Sequence, residues 1–297
     1  MNNPIVWMRG AVGDLLILFP IMKQYLNQEF PTFDGVNLIY SGPLQPKKVL
    51  ELTDLILGLN HKVQRILKID FDDVSNNKNI ITDKMKEQCV HFFNRLPDMI
   101  LNHVYKDEYE LKIHDADNVL KLNDPIDYTS IHLKTQEIDL PFKEYICVSL
   151  TGNSNKSFQH EKSKDKFKLL INILLHETDL PILFLGGKKE EFDKLNFKSF
   201  RLINLCGQTS LIEVNSIIDK AKIFFCFDNG LKNIGFLSKT PTVFLFDKTW
   251  ENANPIEAWF PKQLQNIKKN ILLPIEEITI NTVKKVLSII LSFDFLL

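Results

Sequence analysis

Several carboxylates, lysines and glycines stand where this chain could present them to a ligand. Asp14 closes the run Gly10-Ala11-Val12-Gly13-Asp14. The two glycines let the backbone turn tightly, and an aspartate opening a helix is favoured in its ionised form by the helix N-terminus. Such a carboxylate can act as a base or simply cap the helix. The spacing lacks the third glycine of a dinucleotide fingerprint. Thr151-Gly152-Asn153-Ser154-Asn155-Lys156-Ser157-Phe158 combines hydroxyls, backbone donors and one cation, a composition shared by anion sites and plain surface loops. Gly186-Gly187-Lys188-Lys189-Glu190-Glu191 makes a close turn followed by acids that could accept bonds from a ribose or serve as first-turn glutamates. Asp228-Asn229-Gly230-Leu231-Lys232-Asn233-Ile234-Gly235 is the best anion-site candidate. There an apolar strand delivers Asp228 to its end, and Gly230 opens a helix whose N–H groups suit a diphosphate. None of these four loops carries an Asp-x-Asp pair or a histidine cluster, so neither a metal nor a cofactor is expected.

The elements that must hold these loops follow from the apolar periodicity. Ile5–Met8 and Val36–Tyr40 are short apolar runs and Val63–Ile69 is a third strand candidate, separated by helical spacing after Asp14 and over Leu50–Leu59. This βαβαβ order argues for a parallel sheet with helices on its faces. From Asp72 to about Lys143 the pattern weakens, and Leu140-Pro141 then precedes the clean strand Tyr145–Leu150. The second half alternates again, with helices expected over Lys166–His176, Lys188–Asn196, Ser210–Lys220, Leu231–Leu237 and 282–291. Strands are expected over Ile182–Leu185, Arg201–Leu205, Ile223–Phe227 and Thr242–Phe246. The fold class is α/β, with two Rossmann-like doubly wound domains, residues 1–140 and 141–297, facing a cleft. In such sheets ligands bind beyond the carboxyl ends of the strands, which is where all four loops lie.

Bulk composition narrows the function classes. A length of 297 residues suits two domains, and 44% hydrophobic with 25% charged residues is ordinary for a soluble globular chain. A net charge of −1 gives no basic field for nucleic acid. Lys162, Lys164, Lys166 and Lys168 read mainly as the solvated face of a helix. Cys89, Cys147, Cys206 and Cys226 lack C-x-x-C spacing, which fits a reducing, cytoplasmic setting with neither zinc nor disulfides. The N-terminus has no signal-peptide pattern and no run reaches membrane-spanning length. The apolar tail Phe293–Leu297 is expected to pack between the domains in preference to making a peripheral membrane contact at the inner face.

The four loops, in this order, resemble the bacterial heptosyltransferase family, glycosyltransferase family 9. Arg9–Asp14 followed by Phe19-Pro20 and Phe30-Pro31 resembles the family's opening pattern, and Lys156-Ser157-Phe158 its Lys-x-Trp element. Asn204-Leu205-Cys206-Gly207-Gln208-Thr209-Ser210-Leu211, with Glu213 following, resembles its Asn-Leu-x-Gly-x-Thr-Ser-Leu segment. Asp228-Asn229-Gly230 resembles Asp-Ser-Gly, and Pro241–Thr249 the stretch ending Phe-Gly-x-Thr. The match covers about residues 5–70 and 145–291.

The resemblance implies a GT-B fold and an inverting, metal-independent transfer of a sugar from a nucleotide-diphosphate donor, ADP-heptose first among them. The acceptor would be a glycan or glycolipid hydroxyl in lipopolysaccharide or surface-glycan synthesis. By position Asp14 would be the general base, with Gly10, Ala11, Val12 and Gly13 near the acceptor. Thr151, Gly152 and Lys156 would contact the donor phosphates and Glu190 the nucleoside. Asp228, Asn229, Gly230, Leu231, Lys232 and Asn233 would hold the sugar-diphosphate. Two departures stand out: Asn233 lies where the family usually has histidine, and Phe246-Asp247 where it usually has Phe-Gly. The competing readings are a GT-B enzyme with another nucleotide-sugar donor or an epimerase activity, and a catalytically idle nucleotide-binding protein.

Overall fold

The computed structural model describes residues 5–8, 15–16, 35–40, 45–56, 62–68, 131–150, 161–187, 197–248 and 270–291. The chain divides into two compact units, Met1–His132 with Ile256–Gln263, and Leu133–Pro255 with Leu264–Leu297.

In the first unit, strands β1 (Ile5–Met8), β2 (Gly35–Tyr40) and β3 (Lys62–Lys68) form a parallel sheet in the order β1-β2-β3. Leu15 and Leu16, which follow Asp14 in sequence, are helical and fully buried. Helix α1 spans Pro46–Leu55 and buries Val49, Leu52 and Leu55. It lies earlier than the Leu50–Leu59 expected from apolar spacing. Proline has no N–H to lose at the first helical position and fixes the right φ, so Pro46 starts the helix, and Ile56 turns extended and ends it.

The second unit holds a six-stranded, wholly parallel sheet in the order β6-β5-β4-β7-β8-β9. Its strands are β4 (Ile146–Ser149), β5 (Ile182–Phe184), β6 (Leu202–Asn204), β7 (Ile223–Cys226), β8 (Thr242–Phe246) and β9 (Asn270–Pro274). The four residues of β4 and of β7 and all five of β8 are buried. Strands covered on both faces need continuous apolar side chains, which explains the unbroken Ile-Phe-Phe-Cys of β7. β9 was not anticipated. Only Ile271, Leu272 and Leu273 mark it, and Pro274 ends it; an edge strand tolerates a proline that a central strand would not.

Helices α2 (Glu161–Glu177), α3 (Leu211–Asp219), α4 (Leu231–Leu237) and α5 (Ile280–Leu291) accompany this sheet. Phe167 of α2 meets Phe227 edge-to-face at 5.2 Å, and Val283, Val286, Leu287 and Ile290 of α5 join the same apolar cluster. Of the α2 lysines, Lys166 is not merely solvated: its ammonium donates to the carbonyls of Glu276 and Ile278 at 3.2 and 3.0 Å. The last carbonyls of α2, which have no partner within the helix, are met by Arg201, whose guanidinium donates to Leu175 O and Thr178 O. α3 begins in a capping box, Ser210 Oγ accepting from Glu213 N while Glu213 Oε2 accepts from Ser210 N. The segment leading into β4 is tied to α3, Gln136 N donating to Ser216 Oγ at 2.8 Å and Asn215 Nδ2 to Lys134 O at 3.0 Å. Among the described residues no helix is long and apolar enough to cross a membrane.

Candidate active site

The order β6-β5-β4-β7-β8-β9 reverses direction between β4 and β7. Connections leave these two neighbours toward opposite sides of the sheet, so a crevice opens beyond their carboxyl ends. The side chains there are bonded across the switch point. Ser149 ends β4, and Asn229 Nδ2 donates to both its carbonyl and its hydroxyl, each at 3.0 Å. Phe227 N donates to the same carbonyl at 2.9 Å. Asn229 Oδ1 in turn accepts from Leu231 N at 2.9 Å, so one amide ties the turn both to the neighbouring strand and to the first residue of α4. Ser149 was not among the residues picked from sequence. Its signal was a buried hydroxyl closing the otherwise apolar run Tyr-Ile-Cys-Val.

Asp228 is the first residue of this turn, with its side chain 24% exposed. One of its oxygens, Oδ1, accepts from Lys232 Nζ at 2.6 Å. Lys232 is placed differently from a surface cation: its side chain is 3% exposed and its ammonium lies 4.9 Å from the centroid of the Phe244 ring. Asn233 is also buried, at 5% exposure. Gly235 lies where α4 is pressed on the sheet, since a Cβ there would come within 2.5 Å of Phe224 Cδ1 and 3.0 Å of Thr242 Oγ1. Behind the turn, burial pushes the thiol of Cys226 well above its ordinary range, as it does for Cys147. These thiols are core groups rather than nucleophiles.

The Asn204–Leu211 segment proves to be a folding device. Asn204 Oδ1 accepts from Cys206 N at 3.0 Å, and Gly207 adopts a φ of 71°, the left-handed region that suits glycine. Gly207 N then donates to Gly186 O at 2.9 Å. This bond anchors the end of β5, where the Gly186-Gly187 turn begins, and Gly187 has open space around it among the described residues. Asp247 directly follows β8 at its carboxyl end. Thus Asp228, Asn229, Gly230, Leu231, Lys232 and Asn233 are brought together at the switch point. Gly10, Ala11, Val12, Gly13, Asp14, Thr151, Gly152, Lys156 and Glu190 lie outside the described residues, as does the expected helix over Lys188–Asn196.

The comparisons with known proteins agree with this architecture. A family profile described as Glycosyltransferase family 9 (heptosyltransferase) matches residues 117–274. No curated protein sequence gives a significant match. Among solved structures, the E. coli ADP-heptose lps heptosyltransferase II aligns over 99% of both chains with a TM-score of 0.61 and 12% identity. The E. coli heptosyltransferase WaaC with ADP aligns over 97% of this chain and 100% of that one, with a TM-score of 0.58 and 13% identity. A Listeria monocytogenes protein assigned as a UDP-N-acetylglucosamine 2-epimerase aligns over 98% and 88%, with a TM-score of 0.57 and 13% identity. At such identities the structural likeness establishes the fold, which is GT-B, and leaves the chemistry to the family match and the site residues.

Proposed function

The chain belongs to glycosyltransferase family 9, the heptosyltransferase family, and is a glycosyltransferase; we propose that it moves a heptose from ADP-heptose to a hydroxyl of a glycan or glycolipid acceptor, with inversion and without a metal, in lipopolysaccharide or surface-glycan synthesis. The observation that carries the donor half of this reading is the turn Asp228-Asn229-Gly230, stapled through Asn229 to Ser149 at the switch point of the second sheet. A rigid turn at that place puts one carboxylate oxygen and a tight backbone corner where doubly wound sheets take their ligands.

The chemistry divides among the loops by motif position. Asp14 takes the proton of the acceptor hydroxyl as its oxygen bonds to the anomeric carbon, while the bond from that carbon to the donor phosphate breaks and the diphosphate leaves with the electron pair. Attack opposite the leaving group inverts the anomeric centre. Lys156, with backbone donors of Thr151 and Gly152, meets the charge that grows on the diphosphate. Glu190 accepts from the nucleoside, and Asp228 accepts from a hydroxyl of the sugar.

The test is a thermal-shift screen against ADP-, GDP-, UDP- and CMP-sugars followed by transfer to glycan acceptors, since a ligand that binds only the folded state raises its melting temperature. A shift with ADP-heptose and formation of a glycosidic product support the reading. Interconversion of the sugar without an acceptor would replace it with the epimerase alternative, and no shift with any nucleotide sugar would overturn it.

A further inference from the structure

Lys232 poses a physical problem that the family motif does not solve. A lysine whose side chain is 3% exposed has given up nearly all of its hydration, and burying an ammonium is costly unless something replaces the water. Among the replacements are the Asp228 carboxylate at 2.6 Å and the face of Phe244 at 4.9 Å. An apolar residue of similar volume would fill the same space without the desolvation penalty, and a buried ion pair is weak grounds for stability. The pair is also asymmetric: the lysine is enclosed while the aspartate keeps 24% exposure at the mouth of the switch point. Lys232 therefore grips Asp228 from the protein side, one turn further along the chain, and takes Oδ1. The outward part of the carboxylate stays open to a ligand.

We propose that Lys232 is a positioning residue for sugar recognition: it holds Asp228 in one rotamer so that its second oxygen accepts a hydrogen bond from a hydroxyl of the donor sugar, and it makes no contact with the phosphates itself. This rests on the donor reading given above and deepens it. A carboxylate can only accept, so the group it selects is a sugar O–H, never a phosphate oxygen. The ammonium is a point charge with three donors on a flexible stem; with the stem buried, that flexibility is removed and the carboxylate inherits the order. The position vacated by a cation at Asn233 is not refilled by Lys232, because this charge is already committed to Asp228.

The experiment measures dissociation constants of ADP-heptose and of ADP by calorimetry for the wild type, Lys232→Met, Asp228→Asn and the double variant, with urea midpoints recorded for each. Lys232→Met keeps most of the length of the side chain and should weaken ADP-heptose by about tenfold or more, leave ADP within about twofold, and raise KM for ADP-heptose more than it lowers kcat. In the Asp228→Asn background the same change should add nothing to the loss of sugar affinity. If Lys232→Met does not fold, Asp228→Asn should still lose ADP-heptose and keep ADP, and the double variant, which has no lone buried charge, should lose no more. Equal losses for ADP and ADP-heptose, or a further sugar-specific loss in the double variant, would overturn the proposal. A wild type that holds ADP-heptose no more tightly than ADP overturns it as well, whereas a wild type that binds neither brings down the donor reading on which it stands.

Discussion

Asp14→Asn keeps the shape of the side chain and removes its capacity to take a proton, so it separates a base from a helix cap. A cap survives this change almost intact because asparagine is as good an N-cap as aspartate. A base does not: turnover should fall about 10²–10⁴-fold while the affinity for the donor, measured by calorimetry, stays nearly constant. Turnover close to that of the wild type would leave Asp14 as a cap alone. Lys156→Ala tests the other pole of the reaction. Deleting a charge-assisted contact to phosphate should weaken the nucleotide sugar and the bare nucleotide alike, by roughly 1.5–3 kcal/mol. That pattern contrasts with the sugar-specific loss expected at Lys232. Unchanged donor affinity in Lys156→Ala would remove that lysine from the site. The two lysines thus illustrate why residue type alone is a poor guide: both were legible as cations near an anion, and only the burial of Lys232 against Asp228 and Phe244 shows that its charge is already spoken for.

Helix α4 must lie close against β7 and β8 for the Asp228 turn to meet Ser149, and glycine at 235 is what allows it. Gly235→Ala would gain about 1 kcal/mol of helix propensity on an exposed helix. Here its methyl would meet the fully buried Phe224 ring at 2.5 Å, and overpacking of this kind costs roughly 1–3 kcal/mol. The net result should be a lower urea midpoint, with donor affinity reduced because the turn moves with the helix. A midpoint equal to or above that of the wild type would show that the helix can retreat. α3 offers a check by pH. Its capping box holds the Glu213 carboxyl below the ordinary carboxylate range, through the bonds with Ser210. Because the folded-state value is the lower one, the stabilisation is present above the ordinary glutamate range and is lost as pH falls through the folded value. Glu213→Gln should therefore cost about 0.5–1 kcal/mol near neutrality, and the gap to wild type should close in acid; a gap independent of pH would mean the charge plays no part. Most of these elements were readable because parallel strands buried on both faces leave unbroken apolar runs, as at Ile223–Cys226. α1 and β9 were less so: spacing of apolar residues located α1 four residues too late, and an edge strand ending in Pro274 has too little apolar length to declare itself.

At the scale of the whole molecule, the alternation of strands and helices in each half was enough to read two Rossmann-like sheets, and the second sheet takes the doubly wound order that reverses between β4 and β7. What the alternation could not give is the bonding at the switch point. The Asn229–Ser149 contact joins residues 80 apart in sequence, and no local pattern encodes a partner at that distance. The same limit bears on how the molecule meets the charge of a departing diphosphate. Enzymes do this either with a divalent cation, which needs several carboxylate or carbonyl oxygens converging on one point, or with lysine and backbone N–H groups. The four loops beyond the strands contain no Asp-x-Asp pair, and among the described residues no group of three or more His, Cys, Asp or Glu could hold a metal ion. Asp228, at the switch point, already has an ammonium on Oδ1. An internal cation there disfavours a second, divalent one by direct repulsion. Transfer should therefore proceed at an undiminished rate after exhaustive dialysis against EDTA, and added magnesium or manganese should not raise kcat. Loss of activity on chelation, restored by magnesium or manganese, would contradict this division of labour. It would direct attention to Asp70-Phe71-Asp72, an acidic pair just past the end of β3 that lies outside the described residues, and Asp70→Asn with Asp72→Asn would then show whether the metal is held there.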